Sequence, residues 1–198
     1  YPGQTGQHNA QSCWNWFRPE DQSRTGGEPE IIAGITRDIL RDFDLPSRAA
    51  CVAGLSAGGA MAAILSETWP DLFAAAGIHS GLPAGAATDL PSAFAAMQGQ
   101  GRGRVPTKPV IVFHGLSDRT VAPSNGRAMV PGDGIETRHQ GGGRSWTRTT
   151  AGASELWLVE GAGHAWFGGD PSGSYADAAG PDASSEMLRF FLEQEQAR

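Results

Sequence analysis

The stretch Ala49-Ala50-Cys51-Val52-Ala53-Gly54-Leu55-Ser56-Ala57-Gly58-Gly59-Ala60-Met61-Ala62-Ala63-Ile64-Leu65 decides how the chain is read. Its opening run, Ala49 to Ala53, is short and apolar, the pattern of a buried parallel strand. From Gly59 to Leu65 small and apolar residues predict a tightly packed helix. Between them Gly54-Leu55-Ser56-Ala57-Gly58 spells G-x-S-x-G, the sharp strand-to-helix turn that lifts a serine hydroxyl clear of its neighbours. A serine oxygen is a weak nucleophile until a base takes its proton, so this exposure is only half of what nucleophilic catalysis needs. Gly54 and Gly58 carry no Cβ, which lets strand and helix close around the bend. The amide of Ala57, at the helix N-terminus, is placed to donate to a developing oxyanion. A plainer account of the same glycines is a helix packed closely on a sheet.

Outward from this stretch, strand and helix patterns alternate. Pro29, at a first helical position, opens a helix with Ile31, Ile32, Ile35, Ile39 and Phe43 on one apolar face, and Asp44-Leu45-Pro46 ends it. The elbow helix closes at Trp69-Pro70. Phe73 to Ile78 predicts a strand running into His79-Ser80-Gly81, and a short helix follows around Ala93 to Met97. Val110-Ile111-Val112-Phe113 is the clearest strand, ending in His114-Gly115. A long polar segment with Gly141-Gly142-Gly143 at its middle then leads to two strands, 145–150 and 155–159, joined by Ala151-Gly152-Ala153. From Asp182 an amphipathic helix turns Met187, Leu188, Phe191 and Leu192 inward. The first two dozen residues, with Trp14, Trp16 and Phe17, read as a packed surface loop. The alternation predicts an open, mostly parallel α/β sheet, with 1–198 as a single domain.

At 198 residues the chain is long enough for a substantial core, and 39% apolar residues place it among folded proteins. A formal net charge of −6, without a Lys/Arg stripe, argues against nucleic acid and anionic membrane as partners. No apolar stretch reaches transmembrane length. Tyr1-Pro2-Gly3 reads as the middle of a loop already under way. Cys13 and Cys51 could pair with each other, or Cys13 could take a partner elsewhere, with Cys51 a buried thiol. No His/Cys/Asp set has metal-ligand spacing, and no cofactor is expected. Nothing in the sequence sets an oligomeric state.

A nucleophilic serine needs a histidine, and reacting groups in a parallel α/β sheet belong just past the carboxyl ends of strands. His8 and His139 fall in predicted loops with no strong strand behind them. His79 and His114 follow strands, but each could equally be a satisfied structural histidine. His164 follows the last strand, after Gly161-Ala162-Gly163, and its position suits the order Ser, acid, His. The acid that orients it is expected at Asp118, just beyond the Val110–Phe113 strand. Asp71, Asp89, Asp133, Glu67, Glu136, Glu155 and Glu160 are rivals with poorer strand-end positions. Asp is also common in turns for local reasons alone. Trp166, two residues past His164, is either a substrate-pocket wall or a core side chain.

With these residues in view, the chain resembles the esterase family of poly(3-hydroxybutyrate) depolymerases, related to feruloyl and acetylxylan esterases. The resemblance is carried by Cys13-Trp14-Asn15-Trp16-Phe17, Gly54-Leu55-Ser56-Ala57-Gly58-Gly59-Ala60-Met61 and His79-Ser80-Gly81-Leu82-Pro83. It continues through His114-Gly115-Leu116-Ser117-Asp118 with Val121 and Pro123-Ser124-Asn125, then Gly161-Ala162-Gly163-His164-Ala165-Trp166 and Gly180-Pro181-Asp182-Ala183-Ser184. It implies an α/β-hydrolase-type sheet flanked by helices and a secreted serine esterase acting on hydroxyalkanoate oligomers or polymer. Ser56, Asp118 and His164 would be nucleophile, acid and base, with Ala57 in the oxyanion hole. The same strings fit a feruloyl- or acetylxylan-type carbohydrate esterase, and an inactive binding protein on a hydrolase frame is the reading from another class. Family members carry further upstream strands and a His-Gly-Cys turn, thought to give a second oxyanion amide and a cysteine that could bridge to the Cys-Trp segment; residues 1–12 do not match that turn. The sheet is therefore expected to be incomplete on its N-terminal side, with an open edge and exposed apolar faces.

Overall fold

The computed structural model of the chain describes residues 5–8, 10–46 and 50–196. The expectations for Tyr1-Pro2-Gly3 and for Ala49 lie outside the described residues. One six-stranded sheet organises the fold, built from β1 (Ala50–Leu55), β2 (Phe73–His79), β3 (Val110–Gly115), β4 (Ile135–Gly141), β5 (Arg144–Ala151) and β6 (Ser154–Val159). In space the order is β1-β2-β3-β6-β5-β4. β1, β2, β3 and β6 run parallel, and β5 and β4 continue the sheet antiparallel. The sheet is thus mostly parallel, with crossovers through α2 (Ala57–Thr68) and α3 (Leu90–Met97), because parallel neighbours cannot be joined by a tight turn.

α2 covers one face with α1 (Gly27–Asp42) packed on it, and α5 (Ala183–Gln196) packs on the other face against β2 and β3. β2 and β3 are buried along their whole length, as strands covered on both faces must be. Full burial of Phe113 alone contributes on the order of 2–3 kcal/mol of transfer free energy. Asp89 caps α3 by accepting from the Ser92 N–H at 2.8 Å while Ser92 Oγ accepts from the Asp89 N–H, a reciprocal capping box.

Several expectations are corrected. β1 is half-exposed rather than buried, because among the described residues no strand pairs with its outer edge. On α1, Ile31, Ile35, Ile39 and Phe43 face outward and the inward stripe is Pro29, Ala33 and Leu40. Among the described residues β1 is the last strand on this side; α1 packs on α2, and of its isoleucines only Ile32 is partly buried against the core. In α5 the inward positions are Ala183, Met187 and Phe190, while Leu188 and Leu192 are exposed; the buried face is turned by about one residue. The long polar segment hides β4 and a short turn of helix, α4 (Ser124–Arg127). His139 therefore sits on an edge strand, its ring stacked on Trp146. Charged and polar side chains are how edge strands avoid unwanted pairing, and they also erase the alternation by which a strand is read. Cys13 is exposed and Cys51 lies in β1; no disulfide joins them.

Candidate active site

Four parallel strands deliver the relevant residues to one rim of the sheet. The register aligns Leu55 with His79, His79 with Phe113, and Gly115 with Val159. Ser56, Ser80, Asp118 and His164 all follow these strand ends, the place where open α/β sheets bind ligands.

Ser56 has φ 57° and ψ −119°, a region that costs a non-glycine residue on the order of 1–3 kcal/mol. Its surroundings hold it there. The Ser56 N–H donates to the His79 carbonyl at 2.9 Å, and the Ser56 carbonyl accepts from the Ala60 N–H at 2.9 Å. A Cβ on Gly54 would stand 2.3 Å from the carbonyl group of Gly58, so only glycine fits where the chain doubles back. Ala57 opens α2, and as a first-turn residue its N–H is not used within the helix.

Asp118 is buried, and its carboxylate collects donors from several directions. Oδ1 accepts from the backbone N–H groups of Thr120 and Val121, each at 2.9 Å. Oδ2 accepts from His164 Nδ1–H at 2.7 Å, across a sequence separation of 46 residues. His114 Nε2 lies 3.4 Å from the same Oδ2. Burial raises the Asp118 pKa, but hydrogen bonds from His114, His164 and the Val121 backbone outweigh it, so the carboxyl titrates below its ordinary range. The loop bearing His164 is tied to the loop bearing Asp118 by a Ser117 N–H bond to the Ala162 carbonyl at 2.9 Å.

His79 is wholly buried and braces the site from within. The Phe167 N–H donates to its Nε2 at 3.2 Å, and its Nδ1 lies 3.1 Å from Ser80 Oγ. Its ring stacks on Trp166 with centroids 5.0 Å apart. Burial, with His114 and His164 nearby, holds the His79 pKa down at about 3 from an ordinary 6.5.

The indole of Trp166 donates through Nε1 to Ser184 Oγ at 3.0 Å. Trp166 belongs to a two-strand flap formed by β7 (Trp166–Phe167) and β8 (Ala176–Asp177). Together with Trp14, Ile32, Val52, Leu55 and Met61 it lines a groove of ≈ 620 Å³ along the open edge of β1. The structure thus brings Asp118 and His164 into contact, sets Ser56 on the same rim, and puts Trp166 beside the elbow. Several rival acids are engaged elsewhere: Asp71 with Arg24, Asp89 at the α3 cap, and Glu155 with Arg148 and Arg189. Trp14 and Ser184 lie in strings the sequence already singled out, but no short-range pattern links them to the elbow, so their place in the groove is visible only in the fold.

Comparison with known proteins bears on the family and the fold. Residues 1–134 match the family described as Esterase PHB depolymerase. The chain is 35% identical over 141 residues to poly(3-hydroxyalkanoate) depolymerase C of Paucimonas lemoignei, covering 63% of this chain and 34% of that protein. It is 31% identical over 213 residues to poly(3-hydroxybutyrate) depolymerase of Ralstonia pickettii, covering 89% of this chain and 42% of that one. The chain therefore spans less than half the length of these two relatives. Among solved structures, an acetyl xylan esterase from Aspergillus awamori superposes with a TM-score of 0.67 at 19% identity, over 90% of this chain and 72% of the other, a likeness of fold.

Proposed function

The chain belongs to the esterase PHB depolymerase family, and from that premise we propose that it is a serine esterase cleaving hydroxyalkanoate esters through an acyl-enzyme. The observation that carries the reading is the 2.7 Å bond from His164 to Asp118, on the rim where Ser56 holds its strained turn. Asp118 accepts from Nδ1–H of His164, which leaves Nε2 as the ring's basic nitrogen. Ser56 Oγ attacks the ester carbonyl carbon while His164 Nε2 takes the hydroxyl proton. The carbonyl oxygen, now negative, is stabilised by the Ala57 N–H and the positive end of α2. Collapse breaks the carbon–alkoxy bond, with the proton passing from His164 to the departing alcohol. Water, deprotonated by the same imidazole, then attacks the acyl-Ser56 ester and frees the acid.

Trp166, two residues past His164 with its ring held against His79, is the side chain we assign to the wall of the ester site. We place its action outside the cell, on polyester that cannot cross the membrane to be degraded within. No helix among the described residues is long and apolar enough to cross a membrane.

The test is turnover of 3-hydroxybutyrate oligomers, polyhydroxybutyrate film, p-nitrophenyl esters, methyl ferulate and acetylated xylan, by the protein and by Ser56→Ala. We expect hydroxybutyrate ester cleavage that falls by about 10⁴-fold or more in the variant. Activity that survives Ser56→Ala overturns the nucleophile assignment. Turnover of ferulate or acetylxylan alone moves the substrate to plant polysaccharide esters.

A further inference from the structure

Asp118 serves two histidines, and the mechanism above uses only one. His114, near the end of β3, is entirely buried. Its Nε2 is 2.8 Å from the Val121 carbonyl oxygen and 3.4 Å from Asp118 Oδ2. A carbonyl can only accept, so the proton is on Nε2 and points at Val121, with Asp118 Oδ2 3.4 Å from the same nitrogen on the positive side of the ring's N–H dipole. Nδ1 then presents a lone pair, and it is buried with no hydrogen-bond partner. α4 closes over it so tightly that a Cβ on Gly126 would stand 2.9 Å from Nδ1. A residue kept only to satisfy the Val121 carbonyl would have no need of a second, orphaned polar atom, since buried polar atoms are as a rule paired. What the ring adds beyond that bond is its contact with the oxygen that also holds His164.

We propose that His114 is a positioning residue for the esterase reaction: its Nε2–H fixes the Asp118 carboxylate for His164 and limits the negative charge that Oδ2 offers to the imidazolium. The inference rests on the Ser56–Asp118–His164 reading. The titratable groups near His114 are Asp118 on the loop after β3 and His79 on β2; His164, on the loop after β6, meets the same Asp118 oxygen, and α4 meets the ring with Gly126. Without the His114 donor, Oδ2 becomes more basic and stabilises protonated His164 more strongly. The base form then appears only at higher pH.

The experiment measures kcat and KM against pH on a p-nitrophenyl ester for the protein, His114→Leu, His114→Gln and Gly126→Ala, with Ser56→Ala in parallel. In His114→Leu kcat is expected to fall by about 10-fold with KM within about 2-fold, and the acidic limb of kcat/KM to move up by about half a pH unit. His114→Gln places an amide N–H near the Nε2 position, and it should restore the limb and most of kcat. A folded His114→Leu protein with the limb of the unmodified enzyme overturns the proposal, as does a Gln variant no better than Leu. If His114→Leu does not fold, Gly126→Ala decides, because its methyl group displaces the ring without removing it. A limb moved upward in that variant supports the proposal, and an unmoved limb overturns it. Residual activity in Ser56→Ala instead overturns the underlying triad.

Discussion

Replacing His79 by Gln isolates the cost of keeping a neutral imidazole inside the sheet. The folded ring titrates at about 3 and an unstructured one at 6.5, so between these values the unfolded chain binds a proton that the folded protein refuses. Because the folded pKa is depressed, the contribution is fully present above 6.5 and drains away as pH falls toward 3. At pH 5 the folded ring is still neutral, so the loss follows from the unfolded titration: about 1.5 pH units at about 1.4 kcal/mol each, roughly 2 kcal/mol. With a urea slope of about 2 kcal/mol per molar, the unfolding midpoint should drop by about 1 M between pH 7.5 and pH 5. Tryptophan fluorescence and circular dichroism in urea series at both pH values measure it. Glutamine can still offer an oxygen to the Phe167 N–H but takes up no proton, so the pH-dependent drop in His79→Gln should shrink to about 0.3 M. Asp118 and Glu155, both depressed, act below their ordinary values of 3.8 and 4.5, outside this window. An equal drop in the protein and in His79→Gln would refute the reasoning, because the linkage would then lie in other groups.

Two further outcomes follow from the same geometry. Gly54→Ala drives a methyl group to 2.3 Å from the Gly58 carbonyl, against backbone that cannot rotate away, and should cost about 3 kcal/mol or prevent folding. Thermal unfolding and soluble yield report it, and a melting temperature unchanged within a degree would contradict the close approach. Asp118→Asn presents an amide donor to His164 Nδ1, so the proton moves to Nε2 and the ring cannot accept from Ser56; kcat should fall by about 10⁴-fold with KM little changed. Steady-state kinetics decide it, and a loss below about 10-fold would remove Asp118 from the orienting role.

The elbow, β2 and β3 were legible because each carries its own short-range signal: a glycine-framed serine, and apolar runs whose burial on both faces leaves no alternation. Strand-end position and chain order put His164 and Asp118 forward only as candidates. The rival acids could not be dismissed in that way, since only the folded chain shows Asp71 paired with Arg24 and Asp89 capping α3. β4 stayed hidden for the opposite reason to β3. It is an edge strand, and its composition is set by solvent and by Trp146 beside it rather than by a core.

The α1 helix marks the boundary of what a one-dimensional pattern can say. Ile31, Ile35, Ile39 and Phe43 define an apolar face correctly, yet periodicity identifies a face without identifying what lies opposite it. Among the described residues the sheet ends at β1, and a narrower stripe of Pro29, Ala33 and Leu40 is the one that is buried. The roles of His79 and His114 are tertiary for the same reason. Each follows a strand, and nothing local separates a brace from a base. The sequence by itself determined the strained turn at Ser56, the parallel strands and the chain order of serine, acid and histidine, because these rest on local backbone chemistry and period. The tertiary structure alone decided which carboxylate meets which imidazole, and that Asp118 meets two, because those contacts depend on register across strands that are distant in the chain.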